Sequence, residues 1–418
     1  MPWNLVNPGK PNPMVKEIRR KRNLSPRQCV TRNAATLSSM FPGHADPQAT
    51  ADYRARFPLL CDAGHFRRAQ QVPGAGKLWL SSIGVGTYLG EPDDRTDEEY
   101  SKAIATALRS GLNVLDTAIN YRHQRSERTI GAALKQLIEL GELNRNQVLI
   151  ATKAGYLSFD TNLPPHPRAY IIEEYVEPGI LDPSQIVGGV HAMAPAYLEN
   201  QIERSRRNLG IETIDVFYLH NPETQLSEVP RELFLRRLGD AFARLEQQVQ
   251  AGKLCYYGLA TWSGFRLPPG SRDFLDLEEI VERAEEVRGH EHHLRFVQLP
   301  FNLTMPEAYT MANQGSGKKQ SLLAAAAELG IAVVGSATLH QGQLTDGLPK
   351  SLGELLGSKS DAENAIQFSR SAPGLTTALV GMGHEEHVLA NLKVAQTPPT
   401  TLARWNELFQ ATFFPGDD

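Results

Sequence analysis

The chain has 418 residues, 41% hydrophobic and 22% charged, a balance that suits a large buried core and excludes disorder of the whole chain. A net charge of -4 provides no overall field to gather nucleic acid or an anionic membrane, and no apolar run approaches the ~18 residues that span a bilayer. Three scattered cysteines, Cys29, Cys61 and Cys255, offer neither a disulfide framework nor a spaced metal site, so no metal is expected and a reducing, cytoplasmic setting is.

Up to about Thr50 the sequence is rich in Pro, Asn and Ser with little periodicity. Residues 1–65 are therefore expected to form a loosely ordered arm, with the basic run Lys16 to Arg22 as a solvated tail. The second expected unit, residues 66–418, opens with FRRAQQVPGAGKLWLSS, read as two short strands joined by a Pro-Gly-Ala-Gly turn. Short apolar runs then alternate with longer stretches at helical spacing. Strands are predicted over 83–85, 113–115, 148–152, 215–219, 256–259, 296–299, 332–334 and 378–380. Helices are predicted over 127–140, 196–209, 232–251, 277–288, 320–329, 361–369 and 385–394, with an added C-terminal helix over 402–411. The first helix is expected to start at the capping box Thr96-Asp97-Glu98-Glu99 and to stop at Ser110-Gly111.

About eight strand-helix units predict an α/β fold of the (β/α)8 TIM-barrel type, because parallel neighbours need a helical crossover between them. A doubly wound sheet is the competing architecture. Against it, Gly84-Val85-Gly86 is followed by Thr87-Tyr88-Leu89 and lacks the glycine-rich dinucleotide fingerprint. Two connections, 154–195 and 302–319, are long enough to be lids or binding loops.

Asp116, Tyr121, Lys153 and His220 each lie at or just past the C-terminal end of an early strand, and barrel closure gathers those ends at one mouth. A free phenol titrates near ~10 and is a poor proton donor or acceptor at neutral pH. An adjacent ammonium stabilises the phenolate and lowers that value, a carboxylate keeps the ammonium charged and oriented, and an imidazole can hydrogen-bond a substrate oxygen. Singly, each residue has a plainer role as a cap, a packing ring, a solvated end or a loop tether. Their co-occurrence at successive strand ends shifts the weight towards chemistry.

The segment Gly111-Leu-Asn-Val-Leu-Asp-Thr-Ala-Ile-Asn-Tyr121 carries a resemblance, together with Ser126-Glu127, Thr152-Lys153, His220-Asn221-Pro222, Gln298, Gly342-Gln-Leu-Thr345, Gly381 and Asn391-Leu392. Over about residues 83–394 the chain resembles an aldo-keto reductase, and the preceding hairpin resembles that family's cap over the barrel bottom. The resemblance implies a reductase of a small-molecule aldehyde or ketone. It makes Tyr121 the general acid, Lys153 and Asp116 its tuning pair, and His220 the residue that orients the carbonyl. It also implies a nicotinamide cofactor, NADP with NAD as the alternative. Gln298 would hold the carboxamide and Asp116 would stand beside the ribose. Leu339, Gln341 and Gly342 would line the pyrophosphate; Gly381 and Asn391 complete the cofactor set, Asn391 at the adenine.

The chain departs from the family pattern in three places. Gly258-Leu259-Ala260-Thr261-Trp262 replaces the usual Gly-x-Ser-Asn, which is expected to remove one carboxamide bond and to place an aromatic at the mouth. Val334-Gly335-Ser336-Ala337 lacks the ring that commonly stacks on the nicotinamide, so another group is expected to cover that face, with Trp262 as one candidate. Glu385 and Glu386 stand where a cation often meets the 2'-phosphate, so the NADP preference is open. Tyr156, Phe159, Tyr170 and Tyr175 in the long third loop either contact a ring-bearing substrate or pack the loop against the rim. A rival function is a cofactor-binding redox sensor or scaffold with little turnover, and another is an isomerase or lyase on the same barrel. No partner beyond the small molecule is expected, neither nucleic acid nor membrane, and the oligomeric state is left open.

Overall fold

A computed structural model describes residues 40–410. Eight parallel strands form a closed barrel: β1 (Ile83–Gly86), β2 (Val114–Asp116), β3 (Leu149–Ala154), β4 (Ile214–His220), β5 (Leu254–Ala260), β6 (Leu294–Pro300), β7 (Ala332–Ser336) and β8 (Leu375–Gly381). Each neighbour pairs with the next, and β8 returns to pair with β1. The crossovers are α1 (Asp94–Arg109), α2 (Arg125–Glu139), α3 (Pro195–Leu209), α4 (Arg231–Gln250), α5 (Leu277–Arg288), α6 (Leu322–Glu328) and α7 (Asp361–Ser371), with α8 (Glu385–Ala395) after the last strand. The (β/α)8 expectation holds, and the predicted elements fall on these with ends displaced by a few residues.

Two local expectations need correction. α1 starts earlier than the predicted box, because Asp93 is the cap and its carboxylate accepts from Thr96 N at 2.8 Å. Thr96 lies inside the first turn. The predicted hairpin is present, Phe66–Arg67 pairing antiparallel with Leu80–Ser81, but each strand has only two residues. The connection is not a tight turn; it carries the short 3-10 helix Ala75–Lys77.

A larger correction concerns the arm, whose expected boundary at residue 65 is too late. Residues 1–39, including the basic run from Lys16 to Arg22, lie outside the described residues. From Met40 onward the chain packs on the barrel. Phe41 bridges to Ile211, and the helix Pro47–Ala55 is capped by Asp46, whose carboxylate accepts from Ala49 N at 2.8 Å. Tyr53 is fully buried and its hydroxyl donates to Leu108 O at 2.6 Å. The Pro and Asn content that suggested a loose segment serves here as helix punctuation.

Alternation along the strands decides what reaches the mouth, since successive side chains point to opposite faces. Val114, Leu149, Ala151, Val216, Tyr218 and Phe296 share one apolar cluster, whereas Leu115, Ile150, Phe217 and Val297 belong to the cluster that includes helix residues such as Ile104 and Leu134. The first set fills the barrel interior. Asp116 follows Val114 by two, Lys153 follows Ala151 by two, His220 follows Tyr218 by two and Gln298 follows Phe296 by two. All four therefore face inward, one layer above that core.

The C-terminal helix Leu402–Gln410 is present as expected. It seats Trp405, fully buried, against Phe301 and Phe368, with Nε1 donating to Phe368 O at 2.9 Å.

If residues 40–65 are part of the folded unit, Tyr53→Ala should cost about 3–5 kcal/mol of stability, as large-to-small core changes do. Urea unfolding measures it; a loss under roughly 0.5 kcal/mol, typical of a surface site, would return the segment to a loose arm.

Candidate active site

Asp116, Lys153 and Gln298 form one bonded chain across three strand ends. Lys153 Nζ donates to Asp116 Oδ2 at 2.6 Å and to Thr117 O at 2.8 Å, and Gln298 Nε2 donates to Asp116 Oδ1 at 2.7 Å. Tyr121 enters from the turn after β2, with its hydroxyl 3.4 Å from Lys153 Nζ. His220 closes the group, its ring 5.8 Å from the Tyr121 ring in an edge-on arrangement. The four predicted chemical residues and Gln298 are thus brought together.

The Gly-free stretch after Tyr121 has a physical explanation. Arg122, His123 and Gln124 all adopt left-handed backbone, with φ of 45°, 55° and 71°. That conformation costs L-residues roughly 1–2 kcal/mol each, so it persists only where contacts hold it. Buried Arg122 supplies one clamp, with Nη1 on Asp97 Oδ1 at 2.5 Å and Nε on Ser126 Oγ at 3.0 Å. The long third loop supplies another. Gln124 Nε2 donates to Phe159 O at 3.0 Å, and Thr161 N donates to His123 O at 2.9 Å.

Burial dominates the electrostatics. It pushes Asp116 up and Lys153 down, each opposed by the other's charge. Burial also holds Tyr121 well above its ordinary value, reinforced by the charge of Asp116. The expected lowering of the phenol by the ammonium is overturned here. Asp116 lies closer to Lys153 than Tyr121 does, so the phenol faces a compensated pair rather than a bare cation. His220 is held well below the ordinary imidazole value by burial and then by Lys153, which keeps it neutral.

The remaining predicted residues occupy the same end of the barrel without bonding to this group. Leu339, Gln341 and Gly342 form a turn after β7 in which Ala337, His340 and Gln341 carry positive φ. Gly381 ends β8, and Asn391 is buried on α8. Glu385 is turned to α1, where it accepts from Thr106 Oγ1 at 2.7 Å, while Glu386 is exposed.

Several buried polar atoms at this end have no partner among the described residues: Thr117 Oγ1, His220 Nδ1, Thr261 Oγ1 and Thr338 Oγ1. Unpaired buried groups cost free energy, and a ligand rich in polar atoms would satisfy them. Thr261 follows β5, and its backbone N donates to Gln298 O at 2.9 Å. The departure at this position was expected to remove one carboxamide hydrogen bond; Thr261 carries a buried hydroxyl with no partner among the described residues. Trp262 stands 45% exposed at the mouth. Its backbone N is held by Glu223 Oε1 at 2.7 Å, a buried carboxylate that also accepts from Ser263 N at 3.1 Å. Glu223, Thr338 and His191 were missed in the sequence. Glu223 follows the His220-Asn221-Pro222 motif directly, the one signal that could have found it.

Of the four third-loop aromatics, Tyr175 is fully buried in a cluster with Leu181 and Tyr197, and Phe159 and Tyr170 pack against that cluster. Only Tyr156 meets the site, its ring 5.2 Å from that of His220. A concavity of about 460 Å3 lies at the opposite end, between Phe41 to Asp52 and Asn144 to Gln147. It contains none of the strand-end residues, so chemistry rather than volume selects the mouth as the candidate site.

No helix among the described residues is long and apolar enough to cross a membrane. One curated relative, provisionally named a voltage-gated potassium channel subunit beta, from Schizosaccharomyces pombe, is 29% identical over 195 residues, 46% of this chain and 45% of that protein. An Alternaria alternata aldo-keto reductase is 28% identical over 196 residues, 46% of this chain and 49% of that protein. The chain thus spans about half the length of the curated relatives it matches. Among solved structures, an aldo/keto reductase from Klebsiella pneumoniae in complex with NADP and acetate is similar with a TM-score of 0.55 at 18% identity, covering 82% of this chain and 95% of that one. The glycerol dehydrogenase from Gluconobacter oxydans is similar with a TM-score of 0.56 at 20% identity, covering 85% and 98%. At such identities these likenesses show the fold. The profile of the aldo/keto reductase family matches residues 82–410, and the chain belongs to that family.

Proposed function

We propose that this protein is an NAD(P)H-dependent reductase of an aldehyde or ketone, with Tyr121 as proton donor. The observation that carries the reading is the Asp116–Lys153 pair at 2.6 Å with the Tyr121 hydroxyl 3.4 Å from the ammonium, at the barrel mouth. When bound, the nicotinamide cofactor supplies a hydride to the carbonyl carbon. Gln298, Thr261 and Asp116 are the groups to hold its nicotinamide end. Thr338, Leu339, Gln341 and Gly342 are those for the pyrophosphate, with Gly381 and Asn391 towards the adenine. The unpaired hydroxyls of Thr261 and Thr338 support this assignment. The relative crystallised with NADP supports NADP as the cofactor, with NAD as the alternative.

The protein's own task is the proton. As the carbonyl oxygen gains electron density, the Tyr121 O–H donates to it, and the phenolate left behind is stabilised by Lys153. Asp116 keeps Lys153 charged and aimed. A raised phenol value means that the acid is loaded throughout the neutral range. His220, neutral and beside Tyr121, hydrogen-bonds the same oxygen and orients the carbonyl.

A cofactor-binding scaffold with little turnover is the second reading, favoured by the likeness to the channel subunit. The assembled tetrad weighs against it. Fluorescence titration with NADPH and NADH, followed by a carbonyl panel, separates the two: tight binding with no turnover would leave only the scaffold.

Tyr121→Phe should lower kcat for carbonyl reduction by about 10²- to 10⁴-fold, the usual worth of a positioned proton donor, with cofactor affinity nearly unchanged. Equal activity in the variant would remove Tyr121 from that role. The pH profile of kcat should show no inflection near the ordinary imidazole value of ~6.5, since His220 gains a proton only well below it; a step there would mean that His220 charges in the working range. Glu386→Arg should tighten NADPH by about tenfold relative to NADH, through a charge-assisted bond to the 2'-phosphate. Unchanged affinities would place that phosphate elsewhere.

A further inference from the structure

The long connection from β3 to α3 returns to the mouth at His191, an imidazole with no exposed surface. Its Nε2 lies 2.8 Å from the backbone oxygen of His220, and its Nδ1 lies 2.9 Å from Gln225 Nε2. A carbonyl only accepts and an amide nitrogen only donates, so the ring is neutral with its proton on Nε2. Burial pushes its pKa down to about 4, in keeping with that state. Gln225 is held in turn, its Oε1 accepting from Arg237 Nη1 at 2.5 Å, and Arg237 also reaches Ser184 O at 3.1 Å. The contact demands glycine at position 155. A Cβ there would lie 2.4 Å from His220 O and 2.7 Å from His191 Nε2.

His220 itself is weakly tethered. Its Nδ1 is buried with no hydrogen-bond partner among the described residues. The ring rests edge-on between Tyr121 at 5.8 Å and Tyr156 at 5.2 Å, and Tyr156 is also edge-on to His191 at 5.3 Å. Packing and backbone position therefore set where the imidazole points. The backbone at that point is held from the side by His191.

We propose that His191 is a positioning residue: by tethering the backbone oxygen of His220 it fixes the imidazole relative to Tyr121. This inference rests on the reading of the protein as a carbonyl reductase. The long loop is then a brace rather than a lid. Its first part, Phe159 and Thr161, holds the left-handed turn after Tyr121, and its last part, His191, holds His220. Its middle packs on itself around Tyr175.

The test compares wild type with His191→Ala, His191→Gln and Gln225→Leu, using NADPH and a nitrobenzaldehyde as probes. His191→Ala should lower kcat by about 10- to 100-fold, the scale of a ~1 Å misplacement at a reacting centre, while NADPH affinity by fluorescence stays within about twofold. Glutamine can donate to the His220 carbonyl and accept from Gln225, so His191→Gln should recover most of kcat. If His191→Ala does not fold, Gln225→Leu carries the comparison, with kcat reduced in a protein that keeps its melting transition. A folded His191→Ala with wild-type kcat, or His191→Gln as impaired as His191→Ala, would overturn the proposal. Imidazole nitrogen resonances decide it independently of turnover. The His220 signals should move in His191→Ala, and unmoved signals would overturn the proposal. A wild type that reduces no carbonyl would sink the reductase reading alone.

Discussion

A fully buried ammonium is the constraint around which the mouth of this barrel is arranged. Desolvation drives Lys153 towards losing its proton, and Asp116 and the Thr117 carbonyl are what hold the charge in place. Removing one partner of such a pair leaves an unpaired ion in the interior, at a cost of roughly 3–5 kcal/mol. Asp116 is committed on its other oxygen to Gln298. Strands β2, β3 and β6 are therefore joined at their C-terminal ends by one polar chain, and the position of the ammonium sets where a phenol must stand to feel it.

The surrounding backbone is shaped to meet that requirement. Three consecutive left-handed residues turn the chain from Tyr121 into α2, and the strain is offset by the Arg122–Asp97 pair and by the third loop. The same loop reaches His220 at its far end through His191. Length in this connection thus serves rigidity, because its aromatic residues are consumed in a cluster of their own. The rings that remain around the mouth are Tyr156 against His220, Tyr88 against Tyr121, and the half-exposed Trp262.

Much of this was legible in the residues. Asp116, Lys153, His220 and Gln298 sit two positions beyond interior apolar residues, and a period of two carries them to the same face. Tyr121 was legible through its motif. Other features were hidden for physical reasons. Asp93 displaced Thr96 as the helix cap because either can accept from a free amide, and only the path of the preceding loop chooses between them. The helix Pro47–Ala55 is weakly patterned and gains its place from burying Tyr53 against α1, a contact with no local signature. That the Thr261 hydroxyl is buried without a partner among the described residues has no local signature either.

Strand and helix periodicity, the caps and the succession of eight units are short-range properties, and short-range properties are written in neighbouring residues. They suffice for a closed barrel and for the set of side chains at its mouth. The sign of the Tyr121 shift, the neutrality of His220 and the tethers from His191 and Glu223 depend on which groups lie within a few ångströms across distant segments, and on how much water is excluded between them. Desolvation is a property of the assembled interior, so it appears only once the chain has closed around those groups.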